Sequence, residues 1–475
     1  MYISVDIVTP AEKETKMSAP VQDIVTKLQD KKEDHGKALP LLRDLAAAAS
    51  DAQIRESVVE AVAAVLELIR AHTAQSDLLE HAFTALAHLT SYSAKNQNEF
   101  MQEGGLEALL NGMKTCPDDA AVQREALKVL INISYSDKHE KAVVAGGAVD
   151  LVVKSMEHHS KDESVQHFAC WVLLNLASAA TPATTAAIIA AMGAHHSSRV
   201  VQHYGAFALE KIAAFHAKDL RMEMVVKGAV EALAAAREAH PTYSELQVCV
   251  IRALGNLACN NETQTAVVSK GKGLPTVMAA MNDNPTDETL LTYACWALEQ
   301  FASENPVNQQ AIFEAKGVEA IITAMKAFPE SKRLLFSALG ALLNLSCNDD
   351  IEKASISTGV IDIVLDTIKR HNDVLLRYSG VWLLANLSHN FDENRRYIAK
   401  NGGIDAIVAA MDEHKDFSDL MSHGCLALVN LGKLDENLEL LKQKGGEHLH
   451  TCADAADDPH TQRAAEQLLH KMENN

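Results

Sequence analysis

One short phrase limits what this chain can fold into more than anything else in it. Leu173-Leu174-Asn175-Leu176 closes an apolar run that begins at Phe168. The same frame returns at Leu130-Ile131-Asn132-Ile133, Leu254-Gly255-Asn256-Leu257, Leu342-Leu343-Asn344-Leu345, Leu384-Ala385-Asn386-Leu387 and Leu428-Val429-Asn430-Leu431. Three more copies keep the frame with His88, Lys211 and Gln300 in the Asn place. From position 88 the successive intervals are 44, 43, 36, 45, 44, 44, 42 and 44 residues. A period in the low forties is the mark of a stacked helical repeat, in which one unit buries its apolar face only against its neighbours. A length of 475 residues would otherwise suggest several domains; an array predicts one elongated body instead.

The unit is clearest between Ser136 and Ser178. The spacing predicts a first helix over 137–145, a stop at Gly146-Gly147, a second helix over 149–158 and a third over 165–177. Val149, Val152, Val153 and Met156 give the second helix one apolar face, and glycine supplies the left-handed turn before it. Glycines recur in that place at Gly104-Gly105, Gly228, Gly271, Gly273, Gly317, Gly359, Gly402-Gly403 and Gly445-Gly446. The copy between Asn175 and Lys211 is short; Thr181-Pro182 stands where a first helix should begin, so two helices are expected there. Residues 1–18 carry no helical period and are expected to be disordered. Residues 19–50 are expected to form a helical cap of two helices around Gly36, 51–434 the array, and 435–475 a C-terminal capping repeat.

This grammar resembles the armadillo repeat family, with likeness to β-catenin and the vacuolar armadillo proteins and more distantly to importin-α. The resemblance implies an all-α fold: a right-handed armadillo-repeat superhelix (α-solenoid) of about nine repeats with terminal caps. It also implies a non-enzymatic protein-protein interaction scaffold, whose concave third-helix groove binds extended peptides. A structural component of a large assembly such as a ciliary axoneme is the alternative from another class, and a nuclear import adaptor is the third.

Composition narrows the classes. With 43 basic and 63 acidic residues the formal net charge is -20, which argues against a nucleic-acid binder. No segment reaches the roughly 20 apolar residues of a membrane span. The eight cysteines form no Cys-x-x-Cys pair, and Cys170, Cys295 and Cys425 recur at one place in the repeat. They are expected to be reduced core thiols in a cytoplasmic protein, with the nucleus and the cilium as alternatives. His158-His159 and His195-His196 lack metal-ligand partners at the right spacing, no phosphate loop is present, and no catalytic constellation is legible. No cofactor is expected.

The candidate site is the ladder itself. An asparagine in an apolar frame must bond to something. It can grip a peptide N–H and C=O together, or it can bond the neighbouring repeat's backbone, and both uses satisfy the amide. Trp171, Trp296 and Trp382 each lie four residues before an Asn-like position and so share its face, either as core rings or as ligand walls. In importin-α relatives the Trp-x-x-x-Asn pairing holds peptides; Trp171/Asn175 and Trp382/Asn386 match it, and Trp296/Gln300 does not. Places 0, −4 and −8 from each Asn-like residue should line the groove. They hold Arg124, Lys128, Lys211 and Arg252 but only one acid, Glu80. The candidate peptide-binding residues are therefore Asn132, Asn175, Asn256, Asn344, Asn386, Asn430, the three tryptophans and these four bases. An acidic segment of roughly ten residues is the expected ligand.

Overall fold

Each repeat forms the helices its apolar spacing asks for. The computed structural model describes residues 21–30, 34–216, 218–455 and 459–474, and among them every regular element is helical. The chain divides into two compact units, residues 1–232 and 233–475. In unit 1 the third helices are α1 (Ser76–Thr90), α2 (Ala120–Ser134), α3 (Glu163–Asn175) and α4 (Arg199–Phe215). In unit 2 they are α5 (Ser244–Leu257), α6 (Glu288–Ala302), α7 (Lys332–Leu345), α8 (Val374–Leu387) and α9 (Ser418–Gly432). Within each unit every third helix packs against the next.

The repeat chosen from sequence has helices at Asp137–Ala145, Ala148–His158 and Glu163–Asn175. The short copy has two helices, as expected. Only a 3-10 turn, Ala177–Ala179, precedes Pro182–Ala194 and α4. Thr181 and Thr184 cap the start of Pro182–Ala194 reciprocally, and Pro182 needs no N–H there. The amino-terminal cap has helix over 21–30 and over His35–Ala49, and only the place of Gly36 differs from the expectation. Gly36 does not break a helix; it lies in the first turn of His35–Ala49, which Asp34 caps and whose Leu42 and Leu45 are buried. Residues 1–18 lie outside the described residues. The carboxyl-terminal cap contains Leu438–Lys444, Gly446–Ala455 and Pro459–Asn474.

A buried glutamine recurs nine places before the Asn-like residue in four successive repeats: Gln123, Gln166, Gln202 and Gln247. Each Nε2 donates to two carbonyls at the end of the second helix; for Gln166 these are Met156 at 2.9 Å and His159 at 3.0 Å. Helix ends leave orphan carbonyls, and this side chain fastens them to the third helix. In repeat eight Arg377 stands in the same place, and its Nε donates to the His371 carbonyl at 2.8 Å. Gln166→Leu keeps the volume and removes both bonds, so it is expected to cost about 2–4 kcal/mol in urea unfolding. A cost under about 0.5 kcal/mol would show that these carbonyls are satisfied without it.

The expectation of reduced thiols throughout is corrected at the last interface. Cys425 of α9 and Cys452 of Gly446–Ala455 form a disulfide with Cα atoms 5.5 Å apart. Cys170 and Cys295, at the same repeat place as Cys425, are free; full burial pushes each thiol up to about 12.

Candidate functional site

The ladder asparagines stand where the third helix ends, and most reach the preceding third helix. Asn132 Nδ2 donates to the Ala87 carbonyl at 2.8 Å and to Thr90 Oγ1 at 3.1 Å. Asn175 Nδ2 donates to the Ile131 carbonyl at 3.2 Å and to Ser134 Oγ at 3.1 Å. The Thr90 hydroxyl gives its own proton to Leu86, and that of Ser134 to Ile131, so both hydroxyls accept from the amides. An amide nitrogen carries two protons. At Asn132 and Asn175 both are spent inside the fold, and the two-sided grip read from sequence is not available. Only Oδ1 remains, which accepts from a ligand N–H but cannot donate to its C=O.

In unit 2, Asn344 donates to the Glu299 carbonyl at 3.0 Å and Asn386 to Ser346 Oγ at 2.9 Å. Both are half-buried, as is Asn256 on α5. Asn430 is different. It is 1% exposed, its Nδ2 donates to the Ala385 carbonyl at 3.0 Å, and its Oδ1 accepts from Lys433 at 2.7 Å. A peptide cannot reach it, and Asn430 is corrected to an inter-repeat brace.

The tryptophans divide as well. Trp171 on α3 stacks on Tyr204 of α4, with ring centres 4.5 Å apart and planes at 20°. His167 and Phe168 extend this slab on α3, and Phe207 extends it on α4 through His203. Burial holds His167 below its ordinary pKa, with smaller opposed effects from Glu163 and His203. In unit 2, Trp382 is 36% exposed and meets Tyr378 and His423, and Tyr378 meets Phe417. Trp296 is half-buried and lies on Gly255, where any Cβ would strike its ring. It fills a gap in the scaffold.

The basic residues carry less charge to a ligand than counting suggested. Glu125, seven places before Asn132, is nearly buried and accepts from Arg124 Nε at 3.0 Å and Lys128 Nζ at 2.8 Å. Glu80 stands 3.7 Å from the other side of Arg124. Lys128 also lies 5.2 Å from the Phe168 ring centre, and Lys211 lies 5.7 Å from that of Phe207. In unit 2, Arg252 faces the Tyr293 ring at 4.9 Å.

One acid on the unit 2 face is perturbed. The Glu299 carboxyl lies over Gly340, 2.7 Å from where a Cβ would stand, and burial raises its pKa to about 7. A carboxyl raised in this way favours the fold fully below its unfolded pKa, and that contribution is lost as pH rises through the folded value. The window here runs from about 4.5 to about 7. The full shift corresponds to about 3 kcal/mol, which partial exposure reduces to about 1–2 kcal/mol. Glu299→Gln is therefore expected to raise urea-unfolding stability by about that amount at pH 8 and to change little at pH 4. The same gap at both pH values would show that Glu299 does not titrate in this range.

Among the described residues no group of side chains is placed to hold a metal ion, and no helix is long and apolar enough to cross a membrane. The fastened third-helix ladder, backed by glycine turns and second helices, defines the molecule as an armadillo-type α-solenoid. The family model described as Protein zer-1 homolog-like, C-terminal domain, matches residues 10–186 and 179–401, and the chain belongs to that family. No curated protein matches the chain in sequence. A crystal structure of an engineered protein from a structural genomics consortium is 26% identical over 86% of this chain and 98% of its own, with a TM-score of 0.71. A structure from work on a phosphorylation switch controlling the interaction between cadherin and beta-catenin is similar at a TM-score of 0.74. It is 14% identical and covers 96% of this chain and 91% of its own, a likeness of fold alone.

Proposed function

We propose that the chain is a non-enzymatic interaction scaffold that takes extended segments of partner proteins across its third-helix faces. One observation carries this reading. Half-exposed aromatic clusters around Trp171 and Trp382 stand one turn from Asn175, both of whose amide protons are bonded inside the fold, and Asn386, which donates one to Ser346; the Oδ1 atoms of both, among the described residues, accept from nothing. An extended peptide offers N–H donors to such carbonyls and apolar side chains to such rings. The stated resemblance to β-catenin and the solved neighbour from cadherin and beta-catenin work both favour a protein partner. The site residues of this reading are Asn132, Asn175, Asn256, Asn344, Asn386, Trp171 and Trp382.

The test is a peptide-display selection on the immobilised full chain, followed by titration of a selected peptide into wild type and the Trp171→Ala/Trp382→Ala variant. The expected result is at least a tenfold loss of affinity with an unchanged unfolding midpoint. Unchanged affinity would place binding elsewhere.

A further inference from the structure

α9 is the last third helix of unit 2, and its two sides meet different things. Toward α8 it carries His423, whose ring centre lies 4.7 Å from that of Trp382 and 5.4 Å from that of Tyr378. Phe417, just before its first turn, lies 5.5 Å from Tyr378. Two of the four rings in the Trp382 cluster are thus carried by α9. Cys425 stands two places from His423, so it points to nearly the opposite side of the helix, and there it is bonded to Cys452 of Gly446–Ala455. Apolar packing accompanies the bond. Leu428 of α9 reaches Gly445, and a Cβ on Gly432 would strike Leu468 of Pro459–Asn474. Every earlier third helix of unit 2 packs against a following one, whereas α9 has the cap helices in that place. A repeat array passes stability only between neighbours, so what the cap does is felt first by α9 and by the rings it carries.

We propose that the Cys425–Cys452 bond is a redox-sensitive latch on the unit 2 binding face. Oxidised, it holds α9 where His423 and Phe417 complete the cluster with Trp382 and Tyr378. Reduced, it lets the cap part from α9, opens the cluster and weakens the binding of peptides that need Trp382. This rests on the scaffold reading above and adds a control on one of its faces. The chemistry is exchange with a dithiol. A dithiol thiolate attacks one sulfur of the bond, forming a mixed disulfide and releasing the other cysteine as thiolate; the second thiol of the reductant then displaces the first cysteine. The dithiol leaves as its own disulfide, and two electrons and two protons pass to Cys425 and Cys452. Both cysteines are buried, so attack waits on local opening of the cap, and the end of an array is where such opening costs least. The latch therefore answers a sustained change of redox poise and not a brief one.

The test compares the oxidised full chain, the same chain after dithiothreitol, and Cys452→Ser. Thiol counting follows the bond, from six free thiols to eight in the wild type. Two readouts are taken: covalent labelling of Trp382, with Trp171 as the internal control, and titration of a display-selected peptide that needs Trp382. Dithiothreitol is expected to raise Trp382 labelling at least threefold, to leave Trp171 unchanged and to weaken the peptide at least fivefold. Reoxidation with diamide should reverse all of this. Cys452→Ser should match the reduced wild type and respond to neither reagent. Unchanged Trp382 labelling in a chain with eight thiols overturns the proposal, as does a bond that dithiothreitol leaves intact in the folded chain. An equal rise at Trp171 overturns it too, since that is general loosening. Trp382 labelling needs no ligand, so a latch that responds while no selected peptide needs Trp382 would refute the scaffold reading of this face and leave the control of the ring cluster standing.

Discussion

Gly403→Ala is expected to destabilise unit 2 by about 3 kcal/mol, whereas Gly402→Ala, one residue away, is expected to cost about 1 kcal/mol. The two glycines serve different needs. Gly402 sits at φ +80°, where an L side chain pays a local conformational cost of about 1–2 kcal/mol, and the nearest atom to an added Cβ is the flexible Lys369 Nζ at 3.3 Å. Gly403 has an ordinary φ but its Cβ would meet the Ile398 carbonyl oxygen at 2.7 Å and the Ile398 side chain closer still. A backbone carbonyl cannot move aside without shifting the Asp392–Lys400 helix, so overpacking costs of about 1–3 kcal/mol or more apply. Gly105 is built alike, with the Phe100 carbonyl at 2.6 Å, and so is Gly317 against Ile312 at 2.9 Å. Amide exchange across residues 392–413 reads both variants. Equal effects would mean that the second glycine is present for its backbone conformation, not for close approach.

Reducing the Cys425–Cys452 bond is expected to loosen the carboxyl-terminal cap selectively. The bond closes a loop with a sequence separation of 27. Closure entropy for a loop of that size corresponds to about 3.5 kcal/mol in the chain-entropy account. A repeat array transmits stability only between neighbours, so the loss should stay at its end. Amide protection should fall in Leu438–Lys444, Gly446–Ala455 and Pro459–Asn474 and remain in α1 to α3. Cys452→Ser should reproduce this without reductant, and reductant should then add nothing. Loss of protection throughout both units, or none in the cap, would contradict the assignment of the bond as a local clip.

The fold was legible because its determinants are periodic. The Leu-x-Asn-Leu frame and the glycine turns recur at one spacing, and the helix bounds of repeat three follow from them within two residues. The site was legible as a face but not as a set of atoms. Asn132 reaches Ala87, 45 residues back, and no spacing says whether its amide turns toward that carbonyl or toward solvent. Glu125 escaped the count of groove charges because it stands seven places from Asn132, between the positions sampled, yet its one carboxylate pairs with both neighbouring bases. The disulfide was hidden because Cys425 shares its repeat position with two free thiols, and only the cap supplies a partner. The buried glutamines did leave a signal. Gln123, Gln166, Gln202 and Gln247 recur at the intervals of the Asn ladder, and a polar residue fixed in register within an apolar helix calls for a bonded partner.

The central claim is that partners lie across the third-helix faces, and the chain carries its own reporters. All three tryptophans, Trp171, Trp296 and Trp382, are on third helices, while Tyr92 and Tyr135, 95% and 82% exposed, follow the ends of α1 and α2. Covalent labelling of tryptophan and tyrosine with and without a display-selected peptide, read by mass spectrometry, compares them in one experiment. The account predicts that bound peptide shields Trp171, Trp382 or both at least fivefold and leaves Tyr92 and Tyr135 as reactive as before. Saturating peptide that leaves both tryptophans fully reactive while shielding the two tyrosines would contradict it.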